Sequence, residues 1–206
     1  MVGLACRRPR SPGARRRVPI VPERHEPGRA LLAQNRPDEA AAEFRQASHL
    51  QPDSAESHRA LTVALFDKGD LDGAIAEYRR VIRLEAGDVS AHINLGLALY
   101  VKDDLDGAIA EYGEAVRLDP KDPNNHFLLG KALAKKRNLE ACIAELRDAI
   151  RLRPDFAEAH DALGSALEQK KDLRSALEQY QIAHGLEPHN LNYRFHYEHL
   201  SHALGH

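Results

Sequence analysis

Residues 91–120 read AHINLGLALYVKDDLDGAIAEYGEAVRLDP, and this stretch decides the fold because both of its halves recur every 34 residues. A fixed period of this length indicates an array of small repeated units and not a single globular core. Copies of the first half are SHRALTVAL (57–65), AHINLGLAL (91–99), NHFLLGKAL (125–133) and AHDALGSAL (159–167). Copies of the second half are DLDGAIAEY (70–78 and 104–112), NLEACIAEL (138–146) and DLRSALEQY (172–180), and a weaker unit, GRALLAQNRPDEAAAEF, precedes them at 28–44.

The apolar spacing within each unit predicts two α-helices. Leu95 and Leu99 lie four residues apart in the first half, and Leu105, Ile109 and Tyr112 follow at four and three residues in the second. These intervals place the side chains on one face of a helix of about 3.6 residues per turn. A polar break separates the halves, and its last residue is predicted to cap the second helix through a side-chain oxygen. The predicted caps are Asp70, Asp104, Asn138 and Asp172, and the prolines predicted to stop the second helices are Pro52, Pro120, Pro154 and Pro188.

Small residues recur where the two helices of a unit would cross. Gly96 in the first helix is expected to face Ala108 in the second. A glycine inside a helix costs about 0.8–1 kcal/mol relative to alanine, so its recurrence indicates a close approach of the two helix axes. The corresponding pairs are Gly130 with Cys142 and Gly164 with Ala176, and the large residues expected beside the crossings are Tyr78, Tyr112, Leu146 and Tyr180.

This pattern resembles the tetratricopeptide repeat (TPR), a helix–turn–helix unit of 34 residues. The resemblance covers residues 28–190. It implies an all-α, right-handed superhelical solenoid of antiparallel helix pairs that serves as a protein–protein interaction scaffold or adaptor. The motif is matched at Leu95, Gly96, Leu99, Ala108, Tyr112, Ala115 and Pro120, and again at Leu163, Gly164, Leu167, Ala176, Tyr180, Ala183 and Pro188. The departures from the motif are Thr62 in place of the glycine, Ala86 in place of the proline, and a histidine in place of the first-helix tryptophan in four units. We interpret these histidines as half-buried packing residues; they are His58, His92, His126 and His160.

The periodicity divides the chain into five units, a tail and a final helix. Pro27 stands midway through the place of the very first helix, so we expect that helix to be truncated and to begin there. The Arg- and Pro-rich residues before it either form a disordered tail or are the remnant of a longer array. The predicted boundaries are 1–27 for the tail, 28–54 for a degenerate first repeat, 55–88, 89–122, 123–156 and 157–190 for four regular repeats, and 191–206 for a capping helix.

Composition and charge narrow the expected location of the protein. Residues 1–29 carry eight arginines against two glutamates, whereas the rest of the chain has 21 basic and 29 acidic residues. No apolar run approaches the roughly 20 residues needed to cross a bilayer, and the basic start lacks the apolar core of a signal peptide. Its prolines also prevent the amphipathic helix of a mitochondrial presequence. We therefore expect a cytoplasmic protein.

The sequence contains no constellation typical of catalysis or of a cofactor. No phosphate-binding loop, G-x-S-x-G, H-E-x-x-H or C-x-x-C motif occurs, and Cys142 occupies a small slot that is expected to be buried and inert. The acidic stretches 70–73 and 104–107 lack the outer ligands of a calcium loop and are interpreted as helix caps. The His-rich end is interpreted as a polar cap, with a metal-binding protein as the less favoured alternative, because structural zinc sites use four ligands. Its histidines are His189, His196, His199, His202 and His206.

We therefore predict a non-enzymatic protein without a cofactor, and the alternative is the recognition arm of a larger multidomain enzyme, such as a glycosyltransferase-like TPR protein. In the resembled family the first helix of each unit lines a concave surface that binds partners. Its unusually apolar middle indicates a hydrophobic anchor groove for an extended peptide or a partner helix, with helix–helix contact or self-association as the alternative. We expect a protein or peptide partner, and not nucleic acid, a membrane or a small-molecule substrate; the oligomeric state stays open. The implied partner-binding residues are Arg59, Val63, Phe66, Ile93, Asn94, Leu97, Tyr100, Phe127, Leu128, Lys131, Lys135, Asp161 and Glu168.

Overall fold

The computed structural model describes residues 25–205, and over this range the chain forms eleven α-helices and no strand. Almost all of the predicted tail, residues 1–24, lies outside the described residues, as does His206. The helices are α1 (His25–Ala33), α2 (Pro37–Leu50), α3 (Ala55–Lys68), α4 (Leu71–Leu84), α5 (Val89–Val101), α6 (Leu105–Leu118), α7 (Pro123–Lys135), α8 (Leu139–Leu152), α9 (Ala157–Gln169), α10 (Leu173–Leu186) and α11 (Leu191–Leu204).

Each helix packs against the helix before it and the helix after it in the sequence. The first helices of neighbouring units also contact each other, as α1 does with α3 and α7 with α9. A chain whose units contact only their neighbours is a solenoid, so its stability is close to a sum of repeat and interface contributions. The predicted all-α solenoid of helix pairs is confirmed.

The predicted caps begin the second helix of each regular unit. Asp104 Oδ1 accepts a hydrogen bond of 3.0 Å from the backbone N–H of Gly107, which satisfies one of the unpaired donors at the start of α6. The same bond is formed by Asp70 to α4, by Asn138 to α8 and by Asp172 to α10.

The second helices end just before the proline positions, as predicted, but a helix also ends there in the unit that lacks the proline. α6 ends at Leu118, two residues before Pro120. α4 ends at Leu84 in the same way, although Ala86 stands where the other units have proline. In both units the backbone N–H of the C-cap residue still bonds to the helix, so the turn itself completes the helix end.

The glycines of the first helices make room for a large side chain of the second helix. A Cβ added to Gly96 would lie 2.7 Å from Cε1 of Tyr112, and one added to Gly164 would lie 2.6 Å from the Tyr180 ring. The expected neighbour of Gly96, Ala108, is buried in the same core, but the tyrosine ring is what occupies the space. The two helices therefore approach closely because one carries a ring and the other carries no side chain.

The histidines in the tryptophan slot are buried more deeply than the sequence predicts, and each is hydrogen-bonded. The ring Nδ1 of His126 donates to Oε2 of Glu145 at 2.8 Å, and its Nε2 lies 3.1 Å from the carbonyl oxygen of Pro120. Burying an imidazole without partners would cost free energy, so these bonds explain how histidine replaces tryptophan here. The equivalent pairs are His58 with Glu77, His92 with Glu111 and His160 with Gln179.

A row of ion pairs links successive units along one edge of the solenoid. In each pair, a lysine at the end of a first helix contacts an acidic residue in the first turn of the preceding second helix. These side chains are largely exposed, so each pair contributes little to stability. The pairs are Lys68 with Asp38, Lys102 with Asp72, Lys136 with Asp106 and Lys170 with Glu140.

The two ends of the described array differ from the expected pattern in detail. α1 already includes His25 and Glu26, so the described helix extends upstream of Pro27 and does not start at it. At the other end, Tyr193 and Leu200 of α11 are buried, whereas Leu191 at the start of that helix is 67% exposed.

The exposed surface of α11 carries charged residues. Arg194 and Glu198 occupy the positions that His160 and Gly164 hold one period earlier, and both are exposed. A further second helix would have to pack on these charges. α11 therefore presents charged side chains at these two positions.

Candidate partner-binding surface

All thirteen partner-binding residues predicted from the sequence lie on four helices, the first helices α3, α5, α7 and α9 of the regular units. We call the exposed surface of these helices the inner face. Their caps (Ser54, Asp88 and Asp122 for α3, α5 and α7) accept backbone hydrogen bonds and so fix where each helix starts. Because the helices repeat at a fixed period, their side chains form rows across neighbouring units.

One depression of the inner face lies between α3 and α5, and we call it the apolar cleft. Its exposed rim is formed by Val63 and Leu97, whose side chains are 47% and 39% exposed. With a volume of about 110 Å³ it is too small for a drug-sized ligand but suits a single side chain. The cleft is lined by Val63, Phe66, Asp67, Tyr78, Asn94 and Leu97.

A second depression lies between α7 and α9, with Tyr100 of α5 at its edge, and we call it the lysine cleft. It has a volume of about 350 Å³, with alanines at its floor and Lys131 and Lys135 on one wall. Ser165 and Gln169 line the opposite wall. The arrangement combines an apolar floor with two positive charges at the rim.

Both lysines of this cleft lie over aromatic rings. The Nζ atom of Lys135 is 4.6 Å from the ring centroid of Tyr100, and that of Lys131 is 5.4 Å from the centroid of Phe127. Cation–π contact at such distances favours the charged ammonium and restricts its position. Lys135 also donates to Asp103 at 2.7 Å, and this hydrogen bond raises its pKa. Lys131 has no carboxylate within ion-pair distance among residues 25–205.

Five of the predicted apolar residues are half-buried against the core, namely Phe66, Ile93, Tyr100, Phe127 and Leu128. The ring of Phe127 lies 4.8 Å from the ring of Phe156, which precedes α9, and Arg153 stacks on Phe156 at 3.5 Å. Ile93 and Leu128 are likewise half-buried against the main core. These side chains therefore leave only part of their surface to a partner, whereas Val63 and Leu97 leave more.

The predicted polar residues of the inner face are mostly engaged within the chain. Arg59 of α3 forms ion pairs with Glu85 and Asp88 at 2.9 and 2.8 Å. On α9, Asp161 accepts from Nδ1 of His196 at 2.6 Å. The same helix carries Glu168, whose carboxylate accepts from the hydroxyl of Tyr180 at 2.8 Å. Burial and this carboxylate raise the pKa of Tyr180.

Further residues join this surface in the structure. Ser165 and Gln169 line the lysine cleft, and Phe195 of α11 is 62% exposed, with its ring 5.7 Å from that of His199. Phe195 follows Asp161 by 34 residues, so the period itself would have placed it on the same row as the inner face.

The described residues offer little for catalysis or metal binding. Between residues 25 and 205 no three His, Cys, Asp or Glu side chains are grouped so that they could hold a metal ion. His196 of the His-rich end already bonds to Asp161. Cys142 is buried, and this burial raises the pKa of its thiol to about 11, which removes the thiolate needed for nucleophilic attack at neutral pH.

Family comparison agrees with the geometry. The tetratricopeptide repeat model matches residues 27–89 and 127–189, which is more than half of the chain, and a second TPR repeat model matches residues 99–137. The chain belongs to the tetratricopeptide-repeat family. A comparison with curated protein sequences gave no significant match. Within the described part of this TPR protein, no helix is both long enough and apolar enough to cross a membrane.

Solved structures of similar fold cover most of the chain. MamA from Desulfovibrio magneticus RS-1, residues 41 to the end, is 22% identical with a TM-score of 0.74 and matches 82% of this chain and 98% of that one. YrrB, described as a TPR protein with an unusual peptide-binding site, is 20% identical with a TM-score of 0.71, covering 81% of this chain and 86% of that one. PilF from Pseudomonas aeruginosa is 19% identical with a TM-score of 0.71, and the match covers 87% of this chain and 82% of PilF. At these identities the likeness concerns the fold.

Proposed function

We propose that this TPR protein is a non-catalytic adaptor that binds an extended segment of a protein partner on its inner face. The observation that carries the proposal is the apolar cleft between α3 and α5, where the exposed side chains of Val63 and Leu97 line the same depression. Exposed apolar side chains that line a concave depression are typical of interaction sites.

The chemistry of the inner face favours a peptide over a small molecule. The two clefts lie on one row of helices, one between α3 and α5 and the other between α7 and α9, so a ligand that fills both must be long. An extended segment can place alternate side chains into such depressions, as peptides do in other recognition grooves. The peptide-binding site named for YrrB supports this class of partner by analogy of fold.

The expected affinity is modest. Burying one large apolar side chain contributes about 1.5–3 kcal/mol, and two or three such anchors must offset the loss of freedom of the bound segment. The net result is near −8 kcal/mol, which corresponds to a dissociation constant of about 1 μM.

Peptide selection tests the proposal directly. Peptides of about twelve residues, long enough to cross four first helices at roughly 3.3 Å per residue, are selected from a displayed random library on the immobilised protein. Selected peptides are then titrated against the wild type, Leu97→Glu and Ile182→Glu. Ile182 is the matched control because it is a similarly exposed branched residue, 41% exposed, on the second helix α10.

Leu97→Glu places a charge in the apolar cleft and is expected to weaken binding by at least about tenfold, whereas Ile182→Glu is expected to leave it unchanged. Both variants keep the helical circular dichroism of the wild type, since both side chains are exposed. Equal affinity of the wild type and Leu97→Glu would move the site away from the inner face and overturn the proposal.

A further inference from the structure

We infer that the lysine cleft receives an acidic side chain of the bound segment, and that a large apolar side chain of the same segment enters the apolar cleft about five residues away. This inference rests on the proposed function, since it assumes that a peptide lies along the inner face. It goes further by assigning a charge and a spacing to that peptide.

The charge follows from the state of the two lysines. Lys131 is exposed, lies over Phe127 and has no carboxylate partner among the described residues, while the single carboxylate near Lys135 is Asp103, itself largely exposed. Of the two ammonium groups on this wall, Lys135 is paired with Asp103 and Lys131 has no carboxylate within ion-pair distance among the described residues. A carboxylate from outside would pair with Lys131, and the rings beneath the lysines hold both charges near the rim.

The neighbouring helix limits how acidic the partner can be. α9, the opposite wall of the lysine cleft, carries Asp161 and Glu168, and Glu158 lies exposed at its start. Asp161 and Glu168 are held by His196 and Tyr180. A run of acidic residues in the ligand would meet these charges, so the surface favours one acidic side chain at one place.

The spacing follows from helix packing. The apolar cleft lies between α3 and α5 and the lysine cleft between α7 and α9, so their centres are two helix steps apart. With neighbouring helices about 8–10 Å apart, two steps span roughly 16–20 Å. An extended peptide covers that distance in about five or six residues at roughly 3.3 Å per residue.

The decisive experiment uses defined peptide pools. Each pool contains acetylated and amidated peptides of about twelve residues, random except for one leucine and one test residue at a chosen distance from it. The test residue is Glu, Gln or Lys, and the distance runs from about two to eight residues. Capping both ends ensures that the test residue, and not a free C-terminal carboxylate, supplies the anion.

The pools are titrated against the wild type, the double variant Lys131→Gln/Lys135→Gln and the control Lys121→Gln/Lys171→Gln. The control removes the same charge from two exposed lysines outside the inner face. Glu pools are expected to bind about three- to fivefold more tightly than Gln pools, with the largest effect at about five or six residues. The lysine-cleft variant abolishes this preference and the control keeps it. The preference also declines as salt is raised.

The results separate this inference from the proposed function. Pools that bind, are blocked by Leu97→Glu and show no preference for Glu over Gln would overturn the inference and leave the proposed function standing. A preference that survives Lys131→Gln/Lys135→Gln would likewise overturn it. Failure of every pool to bind would count against both.

Discussion

The ring of Tyr112 fills the space beside Gly96, where a Cβ would lie only 2.7 Å from its Cε1 atom. The same relationship joins Gly164 to Tyr180 and Gly28 to Phe44, with distances of 2.6 and 2.5 Å. Gly113, in contrast, lies within α6 with nothing within 4 Å of its Cβ position. The chain thus contains glycines of two kinds, of which only the first is required by packing.

Gly96→Ala is expected to destabilise the protein by about 1–3 kcal/mol, because the Tyr112 ring or the helix must move to admit the methyl group. Gly113→Ala is expected to stabilise it by about 0.5–1 kcal/mol, because alanine is the better helix former and meets no atom. Urea unfolding followed by circular dichroism measures both. If the two substitutions shift the midpoint in the same direction, the close approach of Gly96 and Tyr112 is not a packing constraint.

The buried histidines depend on their partners in the second helix. Glu145→Ala leaves the Nδ1 of His126 without an acceptor and is expected to cost about 1–3 kcal/mol. Glu145→Gln is expected to cost much less, since Gln179 already bonds His160 in the next unit at 2.8 Å. Thermal or urea unfolding of the two variants checks this. An equal loss in both would show that the charge of the carboxylate, and not its hydrogen bond, holds the histidine.

Much of the fold was predictable because each unit repeats the same local signals. The cap of α6 at Asp104 and the end of that helix at Leu118 follow from local residues and agree with the sequence prediction. The bond between His126 and Glu145 was not predicted, although Glu recurs at the same period as His. Pairing residues 19 positions apart requires knowing how the two helices rotate against each other.

The partner surface was less predictable, for a physical reason. The period places Phe127 and Leu97 on the same face of their helices, but it does not say which of them meets the next unit. Phe127 meets the ring of Phe156, a residue outside the repeat motif, and Leu97 meets nothing comparable. Such differences arise from individual side chains in the connecting loops, where the units are least alike.

The turn after each first helix holds one residue in the left-handed conformation. Gly69 has φ of 82° there, and Arg137 has φ of 63° at the equivalent position two units later. A side-chain-bearing residue pays about 1 kcal/mol or more for this conformation. Arg137→Gly is therefore expected to raise the free energy of unfolding by up to about 1 kcal/mol, and Gly69→Ala to lower it by a similar amount. Chemical unfolding measures both changes, and destabilisation by Arg137→Gly would mean that its side chain makes a stabilising contact.

Burial of Cys142 makes stability depend on pH in a defined window. The pKa of the thiol rises from its ordinary value of 9.0 to about 11 in the folded state, so the folded protein holds this proton more tightly than the unfolded chain. The contribution of the protonated thiol to the free energy of unfolding is fully present below pH 9 and is lost as the pH rises from 9 to 11. Unfolding free energies of the wild type and Cys142→Ala are compared across this window. Alanine is a matched replacement because Ala108 and Ala176 occupy the same slot in neighbouring units. Above pH 9 the free energy of unfolding of the wild type is expected to fall relative to that of Cys142→Ala. A difference that stays constant with pH would contradict the burial of a neutral thiol.

Glutamate substitutions at Phe127 and Leu97 distinguish packing residues from binding residues on the inner face. Phe127→Glu removes a ring that lies 4.8 Å from Phe156 and beneath Lys131, and it leaves a carboxylate against the apolar group formed by Ala149, Phe156 and Ala159. We expect the free energy of unfolding to fall by about 2–4 kcal/mol, because the lost packing of the ring and the desolvation of the new charge both destabilise the folded state. Leu97→Glu changes an exposed side chain and is expected to stay within about 0.5 kcal/mol of the wild type.

Ile93 and Phe127 are both half-buried against the core, so the double variant Ile93→Glu/Phe127→Glu is expected to unfold at a lower temperature than the wild type. Circular dichroism melts of the double variant and Leu97→Glu make the comparison. If Phe127→Glu melts with the wild type, its ring is not needed between the units and is free to act as a third anchor for the peptide. If Leu97→Glu melts early instead, Leu97 belongs to the core and the apolar cleft is a packing defect without a ligand.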